Sequence, residues 1–206
     1  MTGLLLFEDL ETTGLKPGPG HAILEIALVV TDLDFQIKGQ LTTLVPADTR
    51  LAYETANDFV RKMHTENGLW RDHAEFLGLL ADMNLRVATK ALEDHLIQWA
   101  AGFGIFPGDK STLFCGQGLA GVDNDYMTAY LPRVRQLWGH RAFDISAWLD
   151  LVEKWYGCKT PARKAGIAHR ALDDVLNTIE TARWVRRMFW REVSPARQGA
   201  PEFQDL

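Results

Sequence analysis

The sequence predicts an α/β fold: a mixed sheet, antiparallel across its first three strands, with helices packed on both faces. Three observations lead there. Branched apolar runs joined by short turns occupy the first 45 residues, helical periodicity dominates the remainder, and one more apolar run sits among the helices.

Residues 4–8 form a short apolar run closed by acids, residues 22–31 (AILEIALVVT) are rich in branched side chains, and residues 35–45 alternate loosely. Such runs fit a pleated, half-buried surface. The first two are joined by residues 14–20, which hold two prolines and three glycines, and Asp32-Leu33-Asp34 reads as a hairpin turn between the second and third. Links this short join antiparallel neighbours, since parallel ones need a crossover of about a dozen residues or more.

Helices follow. Leu92, Leu96, Trp99, Ala100 and Phe103 recur on one helical face, as do Ile145, Trp148, Leu149, Val152, Trp155 and Tyr156 behind an N-capping Asp144. After His169, the residues Leu172, Val175, Leu176, Ile179, Ala182 and Val185 line one face of a long helix. Between these helices, residues 111–115 (STLFC) read as a buried strand. The expected organisation is one domain over residues 1–193 and a loosely ordered tail over 194–206, which holds two prolines and few apolar residues.

Composition narrows the class. At 206 residues with 47% apolar content, the chain has enough material for one sizeable core without disulfides or structural metal. Cys115 and Cys158 are too few for a disulfide framework or a zinc site and are expected to be inert free thiols. No apolar run approaches a membrane span, and the first residues lack the cationic start of a signal peptide. A cytoplasmic protein with no membrane contact is expected. The net charge of −5 argues against a protein that coats long nucleic acid, but not against a short nucleic-acid substrate held through a few cations.

The acids are informative in combination. Asp9 and Glu11 stand two apart at the end of the first strand, so both can face one spot if the extended conformation persists beyond Glu8. Asp123 follows the 111–115 strand and a glycine-rich loop. Asp173 and Asp174 fall near the start of the last helix, and His169 precedes Asp174 by five residues. Five helical positions rotate by about 140°, so His169 and Asp174 converge only if His169 lies on the loop entering the helix. Singly, these are strand ends, N-caps and dipole-stabilised acids.

In order along the chain, however, Asp9-Leu10-Glu11, Asp123 and His169-Arg170-Ala171-Leu172-Asp173-Asp174 resemble the DEDD superfamily of 3′→5′ exonucleases, in its histidine-bearing branch. The resemblance is closer still to the oligoribonucleases. Residues 7–15 (FEDLETTGL) look like their first motif, 63–69 (MHTENGL) like their MHT-x-SGL segment, and 164–174 (KAGIAHRALDD) like their third motif. Arg141, Asp144 and Ser146 resemble their R-x-x-D-x-S segment. The resemblance implies a ribonuclease-H-like exonuclease fold, a homodimer, and hydrolysis of very short single-stranded oligoribonucleotides, dinucleotides favoured, to 5′-mononucleotides. It also implies Asp9, Glu11, Asp123 and Asp174 as ligands of two Mg²⁺ or Mn²⁺ ions and His169 as general base. Oxygen ligands suit these hard cations, two of which offset four carboxylates, and an imidazole with an ordinary pKa of about 6.5 is suited to accept a proton near neutrality. By the same resemblance, Leu15 wedges between the terminal bases while His64, Arg141 and Ser146 cap a 5′-phosphate.

The second motif departs from its relatives. Cys115 to Asp123 (CGQGLAGVD) is one residue longer than their pattern and lacks its serine, so Gln117 or the glycine amides are the expected replacement donors. That departure keeps a broader 3′→5′ exonuclease on single-stranded DNA or RNA open as an alternative. The same loop spells G-x-G-x-x-G, with Asp144 23 residues beyond Gly121. A nicotinamide-cofactor reading of that pattern leaves Asp9, Glu11 and His169 unexplained. A non-catalytic binding module would be expected to lose acids and gain basic surface, and this chain does neither.

Overall fold

Alternation decides where the acids of the first strand point. The computed structural model describes residues 3–80, 83–119, 121–157 and 169–189; Cys158 and the expected tail at 194–206 lie outside the described residues. Strand β1 (Leu4–Thr12) sends Leu6 and Leu10 to one side of the sheet and Leu5 and Phe7 to the other. It runs four residues beyond the expected end at Glu8, because β2 (Ile23–Asp32) pairs antiparallel with it through Glu11↔Glu25 and Thr12↔Ile23. A continuous ladder carries the acids within the strand rather than beyond it.

The hairpin expected at Asp32 forms. Asp32 Oδ1 accepts from the amides of Asp34 and Gln36 at 2.9 Å each, and β3 (Ile37–Leu44) then pairs antiparallel with β2. The fourth strand, β4 (Phe114–Gly116), lies parallel to β1 and begins three residues later than residues 111–115 suggest. A fifth, β5 (Ala142–Asp144), pairs parallel with β4 and carried no strand pattern of its own, being only three residues long. The order is β3-β2-β1-β4-β5, so the sheet is mixed and its first three strands are antiparallel, as expected.

Both faces are covered. Against Leu6, Leu10, Ile26, Leu28 and Val30 pack α4 (Leu85–Ala101), α5 (Val122–Tyr130) and α6 (Pro132–Arg135), through Leu96, Ala100, Tyr126, Met127, Leu131 and Val134. Against Leu5, Phe7, Ala27 and Val29 pack α7 (Ile145–Tyr156) and α8 (Ala171–Phe189), through Ile145, Val175, Ile179 and Ala182. Asp144 caps α7 as expected, accepting from the Ser146 amide at 2.9 Å.

Residues 49–79, which showed no clear apolar period, form three short helices: α1 (Thr49–Thr55), α2 (Asp58–Glu66) and α3 (Leu69–Leu79). Asp48 and Asn57 cap the first two. Their apolar contribution is a small cluster of Ala52, Ala56, Val60, Leu69 and Trp70 against Ala22 and Leu24 of the β2 end, too sparse to declare itself in sequence.

His73 of α3 is buried there, with Nε2 at 2.9 Å from the Val45 carbonyl and Nδ1 at 2.7 Å from the Thr49 hydroxyl. Burial holds its pKa below the ordinary imidazole value. The unfolded chain therefore takes up this proton first, so the contribution is fully present above about pH 6.5 and is lost as pH falls below it. Urea unfolding at pH 7.5 and 5.5 is expected to show a smaller acid-induced loss for His73→Gln than for the unaltered protein. Equal losses would mean that His73 does not titrate on unfolding.

Candidate active site

Asp9 and Glu11 continue the Leu5–Phe7 face of β1, the face on which α8 packs. His169 stands just before α8, on the connection that convergence with Asp174 required, and Asp174 sits in that helix's first turn with its amide 3.0 Å from the Arg170 carbonyl. The Glu11 carboxylate, the His169 imidazole and the Asp174 carboxylate each place a ligand atom within 4.8 Å of the other two. Asp9 and Asp123 stand outside this three-residue group, Asp9 next to it on the strand and Asp123 in the first turn of α5.

His169 is one of two described non-glycine residues with positive φ, at 59°. That left-handed conformation costs about 1–2 kcal/mol for an L-residue, so its neighbours have to define it. Arg170 is held by a two-point contact with Glu25 (Nη2–Oε1 2.8 Å, Nε–Oε2 3.1 Å) and by Asp72 at 3.0 Å, while Glu25 also accepts from the Ala171 amide at 2.9 Å. Glu25 is the cross-strand partner of Glu11. Facing carboxylates repel, and the Arg170 guanidinium offsets the second of them.

His64 is fully buried behind Glu11, its Nε2 3.8 Å from a Glu11 oxygen and 3.3 Å from the Thr12 carbonyl. Asn67 Nδ2 approaches its Nδ1 at 3.4 Å and donates to the His169 carbonyl. An amide NH₂ only donates, so Nδ1 accepts and the ring proton resides on Nε2. Burial holds the His64 pKa down to about 4, which keeps the ring neutral at neutral pH.

A fifth acid, Glu8, points to the opposite face of β1 and is 1% exposed, and neither of its carboxylate oxygens has a hydrogen-bond partner among the described residues. Burial, then Asp123 and Asp9, push its pKa well up, with Arg135 opposing. Burial and Asp144 raise Asp123 to about 7. Among the described residues, this end of β1 thus gathers several carboxylates. Such a donor set fits hard divalent cations, and Glu11, His169 and Asp174 together could hold one. The sequence held one sign of Glu8: an acid in the same strand phase as Leu6 and Leu10. The Asn67–His169 and Arg170–Glu25–Asp72 contacts had no signal, because they join residues 98 to 145 positions apart.

The expected substrate residues are placed as follows. Leu15 is 79% exposed on the β1–β2 loop. That loop is tethered by α5: the Tyr126 hydroxyl donates to the Lys16 carbonyl at 3.0 Å and Tyr130 bonds both Gly18 backbone groups. Gln117 is exposed beyond β4, with its Oε1 3.5 Å from the Thr178 hydroxyl. Arg141 is exposed immediately before β5, and Ser146 is half-buried at the start of α7. The glycine loop permits close packing: a Cβ on Gly116 would lie 2.9 Å from the Glu8 carbonyl oxygen.

Residues 6–182 match the RNase T exonuclease family. The chain belongs to that family. This exonuclease chain is 30% identical over 189 residues to an oligoribonuclease of Corynebacterium glutamicum (strain R), covering 90% of this chain and 80% of that one. It is 25% identical to the oligoribonuclease of Neisseria meningitidis serogroup C, covering 90% and 91%. Among solved structures, the zinc-bound complex of E. coli exonuclease I with single-stranded DNA superposes with a TM-score of 0.53 at 15% identity, over 91% of this chain and 41% of that one. Exonuclease I of Methylocaldum szegediense gives 0.55 at 18%, over 90% and 41%. The chain thus spans about two-fifths of those exonucleases and shares their ribonuclease-H-like fold. The protein is a nuclease, and among the described residues no helix is long and apolar enough to cross a membrane.

Proposed function

We propose that this exonuclease hydrolyses very short single-stranded oligoribonucleotides from the 3′ end, dinucleotides favoured, releasing 5′-mononucleotides. The observation that carries the reading is the convergence of Glu11, His169 and Asp174, ligand atoms within 4.8 Å, at the end of β1. Asp9, Glu11, Asp123 and Asp174 would hold two divalent cations, Mg²⁺ or Mn²⁺. Such ions, when bound, supply positive charge that offsets the carboxylates and the charge developing on the phosphoryl oxygens.

The remaining chemistry belongs to side chains. The His169 imidazole accepts a proton from the attacking water, whose oxygen bonds to phosphorus as the bond to the leaving 3′-oxygen breaks. Leu15, the exposed tip of a loop pinned by Tyr126 and Tyr130, separates the terminal bases. Arg141 and Ser146, with Gln117 or the glycine amides in place of the missing serine, hold a 5′-phosphate, for which arginine's paired N–H groups are suited. His64 was expected to cap the phosphate with them, but it is fully buried behind Glu11 and so would support this arrangement from beneath rather than touch the phosphate. A second copy covering the exposed Trp155 and Tyr156 at the end of α7 would give the homodimer, and a cytoplasmic location accords with the buried free thiol of Cys115.

The longer glycine loop favours one rival, a broader exonuclease on single-stranded DNA or RNA. A time course with Mn²⁺ on a 5′-labelled diribonucleotide, a seven-mer RNA and a single-stranded DNA of similar length separates them. Fast loss of the dinucleotide with the seven-mer lagging is expected; a ladder on the longer strands with dinucleotides accumulating would establish the rival. Arg141→Ala is expected to reduce kcat/KM on the dinucleotide by roughly 10–100-fold, the value of one charged hydrogen-bonded contact. Its effect on the seven-mer should be much smaller. A uniform loss would remove length selection from Arg141.

A further inference from the structure

We propose that Asn67 is a positioning residue for this reaction, its carboxamide fixing the main chain of His169; the inference rests on the general-base reading above. Asn67 closes α2, and Gly68 at φ 82° turns the chain into α3. Its Oδ1 accepts from the Leu69 amide at 3.0 Å, which sets the orientation of the amide plane. The Nδ2 end then serves two acceptors, the His169 carbonyl and His64 Nδ1. His64 in turn reaches the Thr12 carbonyl and lies beside Glu11. One carboxamide therefore links the entry of α8 to the acid-bearing end of β1.

The link matters because of what lies next to it. Arg170 is already anchored by Glu25 and Asp72, and the Ala171 amide by Glu25. The next residue back, His169, is left-handed, a region from which an L-residue relaxes readily to extended backbone. A peptide rotation there would swing the imidazole away from Glu11 and Asp174 without disturbing α8. The Asn67 contact to the His169 carbonyl opposes that rotation, so its role is local to the base.

Two variants divide the possibilities. Asn67→Asp keeps the acceptor for Leu69 and loses both donors; Asn67→Ala loses everything but adds no charge. Both are expected to lower kcat on a diribonucleotide with Mn²⁺ by up to about 10²-fold, the effect of a misplacement near 1 Å, with KM within about twofold. Thermal melts of each variant check folding, and Mn²⁺ binding by calorimetry is expected to be retained, since the carboxylates are untouched. In a His169→Ala background, Asn67→Ala should cost nothing further, because a residue acting through His169 has nothing left to position. An unchanged kcat, a rise in KM alone, a loss of Mn²⁺ binding, or an undiminished loss in the His169→Ala background would each overturn the proposal. If His169→Ala itself keeps full kcat, the general-base reading fails first. If that variant is inactive while both Asn67 variants turn over normally, only the Asn67 role fails.

Discussion

His169→Ala is expected to lower kcat on a diribonucleotide by about 10²–10⁴-fold, the range for removing a positioned general base, while the protein stays folded. The side chain is exposed, so its removal opens no cavity in the core. Arg170, Glu25 and Asp72 continue to anchor the start of α8, and the Asn67 contact is to the main chain, which alanine retains. The expected signature is a thermal melt close to that of the unaltered protein with turnover nearly abolished at saturating Mn²⁺. The pH–rate profile should also lose its ascending limb, since the group whose deprotonation drives it is gone. Normal turnover in the folded variant would remove His169 as the base.

Which parts of this site were legible depends on how far apart in sequence the cooperating groups lie. Asp9 and Glu11 were readable because strand alternation places i and i+2 on one face, and the structure keeps both on the face that α8 covers. Asp174 was singled out by the motif resemblance, since an acid in a first helical turn is by itself only dipole-stabilised, and the five-residue offset to His169 required the histidine to precede the helix, as it does. The antiparallel opening of the sheet followed from short links with turn residues. By contrast, α1 to α3 were missed because each buries only one to three residues, so no periodic stripe forms. β5 was missed because three residues cannot display alternation. Asn67 lay within the 63–69 segment without any role read from it, and the role proposed for it arises from a contact across 102 positions. Glu8 shows a different limit. Its strand phase was readable, but only the packing of α5 and α6 explains that an acid there lies deep beside Asp123.

The neighbouring acids Asp173 and Asp174 offer a sharp internal comparison, because both occupy the first turn of α8 and both gain from the helix dipole. Adjacent helical positions point about 100° apart, and only Asp174 shares the space between Glu11 and His169. Asp174→Asn preserves shape and removes one negative charge from the group that would hold divalent cations. Loss of several kcal/mol of charge stabilisation in the transition state corresponds to a fall in kcat of roughly 10³-fold or more. Asp173→Asn removes the same charge from the same turn, about 0.3–1 kcal/mol of dipole stabilisation, and should leave turnover within a few-fold of normal. Melting temperature with and without Mn²⁺ provides a second reading that does not depend on turnover. A ligand that binds the folded state raises it by mass action, so the Mn²⁺-induced rise should persist in Asp173→Asn and shrink strongly in Asp174→Asn. Equal behaviour of the two variants would mean that the turn contributes only general negative charge. A difference confined to Asp174 would instead tie the cation to the point where β1, the α8 entry and the His169 imidazole meet.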